Sequence, residues 1–331
     1  MFTILSVFFI YFLNYFFKKK HYLSNNTGQI HQKYSEKNYV PLTGGIYLLL
    51  FFIFNYYNDF FFLSFLTIIF IIGILTDLNI IESPYKRILI QIIFVFLFVY
   101  HFNLKVEDLR LDLINSLLVN DNFNIFFVSF CFLVLMNGSN FIDGNNGICI
   151  GYFLIIYFIL NILVSNDIAI FDKAQISNII IFLFILLIFN LFNFFYLGDS
   201  GVYLISIFTG YILIKFVNLN SNLSPYFIAA LLWYPSLELL FSMIRKFKNR
   251  NSPMKPDVEH LHQLIFKNLK IRFNLPTNLI NSLTGIIINS FNLVMLLISC
   301  TKPQSTDFQV FLILFNLSIY FSIYIYLRKL E

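Results

Sequence analysis

The chain has 331 residues, of which 59% are hydrophobic and only 12% are charged. Soluble domains carry about 25% charged residues, so this composition excludes a soluble globular protein and indicates a polytopic membrane protein. The net charge of +5 gives no sign of a nucleic-acid partner, because the basic residues flank apolar segments, where they face lipid headgroups, and form no basic stripe.

Apolar runs of about 16 to 21 residues recur along the whole chain, enough to cross a bilayer as helices with modest thinning or tilt. We predict eleven membrane spans, near residues 2–17, 42–58, 60–75, 88–103, 123–136, 147–165, 176–195, 201–217, 225–244, 278–299 and 308–327. The second and third spans are separated only by a short polar stretch, so the count depends most on that pair. No linker divides the chain, and we expect an all-α transmembrane helical bundle that forms a single domain over residues 1–331.

The positions of lysine and arginine predict how the chain is inserted, because cytoplasmic loops retain basic residues. With the N-terminus outside, 17 of the 22 lysines and arginines fall on the inward side. We therefore expect the N-terminus outside, the C-terminus in the cytoplasm and a long cytoplasmic loop at 245–277. On the outer side, residues 104–122 alternate Leu109, Leu111 and Leu113 with charged residues, a pattern that predicts a short strand or hairpin.

Four polar segments interrupt the apolar sequence, at residues 76–87, 137–147, 196–201 and 256–262. Two predicted spans separate each segment from the next, and two spans make one return trip across a bilayer. All four segments must therefore emerge on the same face of the membrane, which is the cytoplasmic face in this orientation. Acidic and imidazole groups that lie far apart in the sequence could in this way form one site.

Two of these segments carry an acid at the end of a span. Asp77 is either a helix-end acid that Lys86 or Arg87 neutralises, or part of a site. Asp199 and Ser200 lie in a Gly-x-x-Gly turn, which lets the backbone approach a phosphate and places Ser200 to cap the following helix. The carboxylate of Asp199 is also an oxygen ligand of the kind that binds a hard cation. A simple capped turn is the alternative.

The other two segments are rich in amides and imidazoles. The segment at 137–147 contains Asn137, Asn140, Asp143, Asn145 and Asn146. These side chains suit a nucleotide sugar and its magnesium, although a connecting loop also needs such turn-forming residues. His260 and His262 are two residues apart, a spacing that suits neither one helical face nor a structural zinc site. We interpret them as contacts to phosphate or sugar, with surface histidines and metal ligation as the alternatives.

One acid, Glu238, lies inside a predicted span. Acids inside membranes are rare and usually functional, because a carboxylate is costly to insert near the bilayer centre. The position of Glu238 near the inner interface leaves two interpretations open, an ion pair with Arg245 and a place in the site.

Taken in order, these motifs resemble the polyprenyl-phosphate N-acetylhexosamine-1-phosphate transferases of glycosyltransferase family 4. The motifs are His31-Gln-Lys33, Pro41-Leu-Thr-Gly44-Gly45, Gly73-Ile-Leu-Thr-Asp77 with Ser83-Pro84, Asn137-x-x-Asn140-x-x-Asp143-Gly144, Gly198-Asp199-Ser200-Gly201, Pro235-x-x-Glu238 and Pro256-Asp257-x-x-His260-x-His262. The family includes the phospho-MurNAc-pentapeptide translocase and the GlcNAc-phosphate transferases that start O-antigen and teichoic-acid linkage units. The resemblance covers about residues 28–264.

The resemblance implies a phosphoryl transfer at the cytoplasmic face of a multi-pass protein in the bacterial inner membrane. The phosphate of polyprenyl (undecaprenyl) phosphate would attack the β-phosphorus of a UDP-sugar, release UMP and start a lipid-linked cell-envelope glycan. The implied cofactor is Mg²⁺, with Mn²⁺ as a substitute. The implied partners are the lipid phosphate, the UDP-sugar and the membrane, without nucleic acid, and a homodimer is compatible with the family.

The resemblance also implies a role for each matching residue. The catalytic residues would be Asp77, Asp143 and Asp199, and the metal ligands would be Asp199 and Asp77. The substrate-binding residues would be Lys33, Asn137, Asn140, Asn146, Ser200, Glu238, His260 and His262. Phosphoryl transfer requires positioning and charge neutralisation more than covalent catalysis, and these residue types can supply both.

The chain departs from the family at two positions. The family usually carries paired aspartates where this chain has Thr76-Asp77, and many members have a further aspartate where this chain has Asn146. Fewer negative charges would weaken magnesium binding, so a catalytically silent homologue is one alternative function. A lipid or solute transporter is another, but transporters place their polar groups near the bilayer midplane and not at helix ends on one side.

Overall fold

The computed structural model describes residues 2–23, 40–165, 173–250, 252 and 259–330, and in these ranges the chain is almost entirely helical. The helices are α1 (Phe2–Lys20), α2 (Gly44–Tyr56), α3 (Phe60–Asp77), α4 (Pro84–His101), α5 (Asp112–Leu118), α6 (Asp121–Ile142), α7 (Ile148–Ser165), α8 (Lys173–Leu191), α9 (Gly198–Leu219), α10 (Pro225–Leu231), α11 (Trp233–Lys248), α12 (Leu261–Arg272), α13 (Thr277–Cys300) and α14 (Thr306–Arg328). The described ranges contain no β-strand beyond an isolated bridge at Pro41. For this part of the chain, the all-α prediction is confirmed.

Helices lie at all eleven predicted spans. In the described part of the chain, seven helices are long and apolar enough to cross a membrane, namely α3, α4, α6, α8, α9, α13 and α14. An eighth span results if α10 and α11, which meet at 72°, are one broken span, whereas α2 and α7 are shorter apolar helices. These helices agree with a multi-pass membrane protein. The count of eleven membrane spans, the orientation of the termini and the single-domain organisation stay predictions.

Capping residues mark where several of the helices begin. The carboxylate of Asp59 accepts a hydrogen bond from the backbone N–H of Phe62 at 3.0 Å and so separates α2 from α3. Asn120 and Ser224 cap α6 and α10 in the same way. Pro84 lies in the first turn of α4, where its missing N–H needs no partner. The polar stretch between the second and third predicted spans is therefore a helix boundary.

The prediction of a strand at 104–122 is wrong, because this segment contains a turn followed by the short helix α5. The carboxylate of Asp108 accepts hydrogen bonds from the backbone N–H of Arg110 at 2.6 Å and from the side-chain amide of Asn115 at 2.7 Å. The guanidinium of Arg110 donates to the backbone carbonyl of Gln304 at 2.8 Å. The polar groups of the segment are thus satisfied by turns and by another loop, and not by a partner strand.

Helix α9 lies at the centre of the bundle, and most of its residues are buried. Its first turn packs against α2 and α3 at positions where those helices carry glycine. A Cβ atom at Gly73 of α3 would overlap the backbone of Ser200, and one at Gly45 of α2 would lie 2.7 Å from the backbone nitrogen of Gly201. Glycine at both positions lets the helix backbones approach closely. As a result, α9 begins directly beside the end of α3.

Helix α11 changes direction by 72° relative to α10 and packs against α6. The contact is close, because a Cβ atom at Gly138 of α6 would overlap the backbone carbonyl of Pro235 in α11. The opposite face of α11 is exposed and apolar, and Ile244 and Phe247 are 66% and 82% exposed. Because of the bend, the apolar face of α11 that carries Ile244 and Phe247 points outward. The opposite face of α11 points toward the polar ends of α6 and α9.

Candidate active site

One cavity of about 730 Å³ contains side chains from all four polar segments. Of the predicted site residues, it is lined by Asp77, Asn137, Asn140, Asp143, Asn146, Asp199, His260 and His262. Ser200 and Glu238 are fully buried and do not line it, and Lys33 lies outside the described residues. Groups that are far apart in the sequence thus converge in space, as the even number of spans between the segments predicted.

The carboxylate of Asp77 binds the N-terminus of α9. One of its oxygens accepts a hydrogen bond from the backbone N–H of Asp199 at 2.8 Å, and the other accepts one from the N–H of Ser200 at 3.1 Å. The first N–H groups of a helix have no partner inside that helix and carry partial positive charge, so a carboxylate there is favourable. The last residue of α3 therefore caps α9 and positions Asp199.

Gly198 makes this capping contact possible. Its φ is +72°, a conformation that is unstrained only for glycine. A Cβ atom at this position would also lie 2.8 Å from a carboxylate oxygen of Asp77. Ser200, which the sequence suggested as the cap, is instead the third residue of α9. Helix α9 begins two residues earlier, at Gly198, so Asp77 takes the capping position.

The carboxylate of Asp199 points into the cavity from the first turn of α9. It accepts hydrogen bonds from the side-chain amide of Asn140 at 3.0 Å and from the hydroxyl of Tyr203 at 3.3 Å. A guanidinium nitrogen of Arg87 lies 3.3 Å from its second oxygen. Neutralisation of Asp77 by Lys86 or Arg87 was one interpretation of the sequence, and the structure pairs Arg87 with Asp199. Asp199 is thus held by three side chains from α4, α6 and α9.

Asp143 follows the last residue of α6 and lines the cavity. Burial raises the pKa of its carboxyl group well above the usual range, and the negative charges of Asp199 and Asp77 raise this pKa further. Three carboxyl groups around one cavity repel one another when all are ionised. Asp143 therefore retains its proton at a pH where an exposed aspartate has lost it.

The amide side chains of the second segment have different surroundings. Asn137 donates to the side-chain oxygen of Gln91 at 3.1 Å at the edge of the cavity. Asn146 is 2% exposed and donates hydrogen bonds to Asn193 at 2.8 Å and to the hydroxyl of Ser282 at 3.4 Å. An aspartate could not donate these bonds. The network thus explains why an asparagine fits where many members of the resembling family have an acid.

Glu238 and His260 form a buried pair behind the cavity wall. Nδ1 of His260 lies 2.9 Å from one carboxylate oxygen of Glu238, and the other oxygen accepts a hydrogen bond from the backbone N–H of Leu261 at 3.3 Å. Because a carboxylate only accepts, Nδ1 carries the proton in this pair. Of the two interpretations of Glu238, these contacts favour a place beside the site, and the acid found next to Arg245, at 3.2 Å, is Glu259.

His260 and His262 are buried, with exposed fractions of 6% and 0%, which excludes surface histidines. Their rings are stacked, with centroids 5.5 Å apart and planes at 8° to each other. The backbone N–H of His260 donates to the side chain of Gln263 at 3.1 Å and completes a capping box at the start of α12. The helix start and the Glu238 pair together fix both imidazoles at the cavity.

Among the described residues, no group of three or more histidine, cysteine, aspartate or glutamate side chains is arranged to hold a metal ion. Magnesium does not require such a group, because it usually keeps several waters and binds one or two carboxylates together with substrate phosphates. Asp199 fits this requirement, since its side chain is 18% exposed and borders the cavity. Asp77 fits less well, because both of its oxygens already accept backbone hydrogen bonds.

The further residues that line the cavity, which the motifs did not single out as site residues, include Arg87, Gln91, Tyr203 and Lys246. Two of them follow a recognisable helical spacing. Gln91 lies one turn after Arg87 in α4, and Tyr203 lies one turn after Asp199 in α9, so each shares a helix face with its neighbour. Lys246 gave no comparable signal, because it lies among several basic residues at the end of a span.

Comparison with known proteins identifies the family of the central part of the chain. Residues 59–217 match the family model described as Glycosyl transferase family 4, and no curated protein matches the chain. The matched range contains Asp77, Asp143 and Asp199 from three of the polar segments, whereas Glu238 and the two histidines lie beyond it. The family resemblance of the motifs is confirmed over residues 59–217, the part of the chain that matches the model of glycosyl transferase family 4.

Proposed function

We propose that the protein transfers a sugar 1-phosphate from a UDP-sugar to polyprenyl phosphate, with undecaprenyl phosphate as the acceptor in a bacterial inner membrane. A phosphate oxygen of the lipid forms a bond to the β-phosphorus of the donor. The bond from that phosphorus to the bridging oxygen breaks, and UMP leaves with this oxygen. The product is a lipid-linked sugar diphosphate, the first intermediate of a cell-envelope glycan.

A single observation carries the proposal, namely that one cavity combines a charged region with an apolar arm. The part of the cavity between α6 and α11 is termed the apolar arm. It is lined by Phe130, Leu133, Val134, Leu239, Leu240 and Met243. The charged region contains the three carboxyl groups, Arg87, Lys246 and the two imidazoles. A water-soluble nucleotide would occupy only the charged region. A lipid phosphate, which has a charged headgroup and a hydrocarbon chain, would occupy both regions.

The charged region provides what a phosphoryl transfer needs from a protein. Asp199 and the neighbouring Asn140 would hold Mg²⁺, or Mn²⁺ in its place, and the bound cation would supply neutralisation of the donor diphosphate. Arg87 lies beside Asp199 and can bind a further phosphate oxygen through its fork of N–H groups. Positioning and charge neutralisation are together sufficient to explain a large acceleration of this reaction.

The other site residues would divide the remaining tasks. Asp77 positions Asp199 by capping α9, and its occupied oxygens make it a weak candidate for a base. Asp143 has no such backbone bonds among the contacts described, and its raised pKa suits exchange of a proton with the acceptor phosphate. His260, held by Glu238 through Nδ1, would contact the donor phosphate or sugar from the opposite side of the cavity.

A second candidate function is a catalytically silent homologue, and one observation favours it. Thr76 stands where the family usually has an acid, and its hydroxyl donates back to the carbonyl of Ile72 in its own helix at 3.0 Å. Thr76 borders the cavity, but its hydroxyl proton is used within α3 and the residue supplies no negative charge to a cation. If the missing carboxylate is essential, the chain binds substrates without turning them over.

The test is transfer by the purified protein in detergent or nanodiscs. The protein is incubated with undecaprenyl phosphate, Mg²⁺ and a panel of UDP-sugars, and UMP release is followed together with formation of the lipid product. We expect UMP from at least one donor, dependent on the lipid and abolished by a chelator. No UMP with any donor would reject the transferase, and UMP release only after Thr76→Asp would establish the silent homologue.

A further inference from the structure

The guanidinium of Arg87 has more hydrogen-bond donors than its contacts use. It carries five N–H groups, and among the described residues it donates one hydrogen bond, to Oδ2 of Asp199 at 3.3 Å. Bonds between a guanidinium and a carboxylate are usually about 2.7–2.9 Å long, so this contact is a long one. Nε of Arg87 is buried and has no hydrogen-bond partner in the described ranges. A buried donor without an acceptor is costly, so the position of Arg87 indicates that a further anionic group enters the cavity.

Asp199 has enough other contacts to stay in place without Arg87. The side-chain amide of Asn140 donates to Oδ1 at 3.0 Å, and the hydroxyl of Tyr203 donates to Oδ2 at 3.3 Å. The amide of Asn140 also lies 3.5 Å from the Tyr203 hydroxyl, and the backbone N–H of Asp199 donates to Asp77 at 2.8 Å. Withdrawal of Arg87 would therefore leave the carboxylate at the edge of the cavity in the same orientation.

Arg87 and a divalent cation require the same oxygen of Asp199. Both side-chain contacts of Oδ2 are 3.3 Å long, whereas Oδ1 has the shorter bond from Asn140. A magnesium ion needs its carboxylate oxygen at about 2.0–2.1 Å, and a guanidinium on that same oxygen repels it, because like charges so close together interact strongly where water is scarce. Asp77 offers no alternative, since both of its oxygens accept backbone hydrogen bonds. A cation that binds Asp199 therefore competes with Arg87.

The donor diphosphate provides the acceptor that a displaced Arg87 needs. The side chain of Arg87 is 26% exposed and lines the cavity together with Asp199, so it can turn from the carboxylate toward a ligand without leaving the cavity. A guanidinium fork binds two phosphate oxygens at once, whereas the observed contact with Asp199 uses one N–H group. The exchange thus replaces one long bond with a bidentate contact.

We propose that Arg87 holds the cation-binding oxygen of Asp199 in the metal-free protein, and that a divalent cation displaces it onto the diphosphate of the donor. This inference rests on the proposed function, since it assigns Arg87 two successive partners at the same site. Two affinities become coupled as a result. Arg87 opposes binding of the cation alone, and it promotes binding of the nucleotide once the cation is in place.

Binding of Mn²⁺ alone tests the competition without requiring turnover. The protein in detergent is titrated with Mn²⁺, and free Mn²⁺ is measured by electron paramagnetic resonance. We expect Arg87→Met to bind Mn²⁺ about tenfold more tightly than the unaltered protein, because one competing charged contact is lost. Lys86→Met is the matched control, since Lys86 is the exposed preceding residue of α4 and its removal changes the net charge equally. Its Mn²⁺ affinity should not change.

Binding of UDP in excess Mn²⁺, measured by isothermal titration calorimetry, tests the second partner of Arg87. Here Arg87→Met should bind UDP about tenfold more weakly, and Lys86→Met should bind it as the unaltered protein does. Opposite changes in the two affinities distinguish competition from a structural role, because a distorted site would weaken both. Should Arg87→Met fail to fold, Arg87→Gln takes its place.

Equal or weaker Mn²⁺ binding by Arg87→Met would overturn the proposal, and so would unchanged UDP binding. An equal gain in Mn²⁺ affinity in Lys86→Met would also overturn it, because the effect would then come from net charge. A protein that shows the expected binding but releases no UMP would reject the proposed function and leave this assignment standing. UMP release without the opposite changes in affinity would do the reverse.

Discussion

Two neighbouring carboxylates, Asp77 and Asp199, look alike in the sequence but have different surroundings in the fold. Both oxygens of Asp77 accept backbone hydrogen bonds from α9, whereas Asp199 is bound by side chains and borders the cavity. The first carboxylate therefore stabilises the structure that presents the second. This difference can be measured, because loss of a structural group and loss of a chemical group change different properties.

We expect Asp199→Asn to reduce UMP release by a factor on the order of 100 or more, with little change in the melting temperature. Asp77→Asn should reduce both activity and stability, the latter by about 1–3 kcal/mol, because an amide N–H₂ would face a helix N–H. Activity and thermal unfolding are measured for each variant in the same detergent. Unchanged stability of Asp77→Asn would show that Asp77 acts through chemistry and not as a cap.

The buried pair of Glu238 and His260 predicts strong coupling between two substitutions. Since Glu238 acts by holding Nδ1 of His260, Glu238→Gln and His260→Gln should each lower kcat/KM by roughly 10-fold to 100-fold. The double variant should lose little more than the worse single variant. Glu259→Gln, which alters the neighbouring acid that pairs with Arg245, is the control. Additive losses would mean that the two residues act independently.

At the scale of the elements, the start of α9 is the part of the site most sensitive to substitution. We expect Gly198→Ala to destabilise the protein by about 1–3 kcal/mol, because alanine is strained at positive φ and its Cβ would meet the Asp77 carboxylate. Ser206→Ala, a buried change in the same helix, should have a small effect. Thermal unfolding and UMP release of the two variants decide the matter, and equal melting temperatures would contradict the capping arrangement.

The bend between α10 and α11 shows the limit of reading elements from a sequence. Residues 225–244 form one apolar run, and such a run predicts one continuous helix. In the structure the run is broken at Leu232 and α11 turns toward α6. Gly138 of α6 has no side chain, so the backbone of α11 can approach it closely. The close contact depends on a glycine almost one hundred residues earlier in the chain, so no local pattern could indicate it.

At the scale of the whole molecule, the membrane orientation makes a prediction for the intact cell. After replacement of the three native cysteines by serine, single cysteines are introduced at the exposed positions Ile80 and Val119, which are 66% and 83% exposed. Because one predicted span separates them, a membrane-impermeant maleimide should label the cysteine at 119 in intact cells. The cysteine at 80 should react only after the cells are opened. Labelling of both from outside would refute the proposed topology.

The sequence alone predicted that the long apolar segments are helical and belong to a membrane protein, and its motifs carry the family resemblance that the match over residues 59–217 confirms. These predictions use only the composition and length of each segment, without knowledge of its neighbours. Two predicted spans between successive polar segments are enough to place those segments on the same face of the membrane. The motif from Asn137 to Gly144 and the turn around Asp199 are likewise short, local patterns, and they are sufficient to show the family resemblance.

Only the tertiary structure decided what each polar side chain contacts. That Asp77 caps α9, that Glu238 holds His260, that Asn146 donates within an amide network and that Lys246 borders the apolar arm all follow from which helices touch and at what angle. Helical periodicity defines the faces of one helix but not its neighbours. Neighbours are set by shape at close contacts such as Gly73 and Gly138, which involve residues far apart in the chain, so this information appears only when the bundle is assembled.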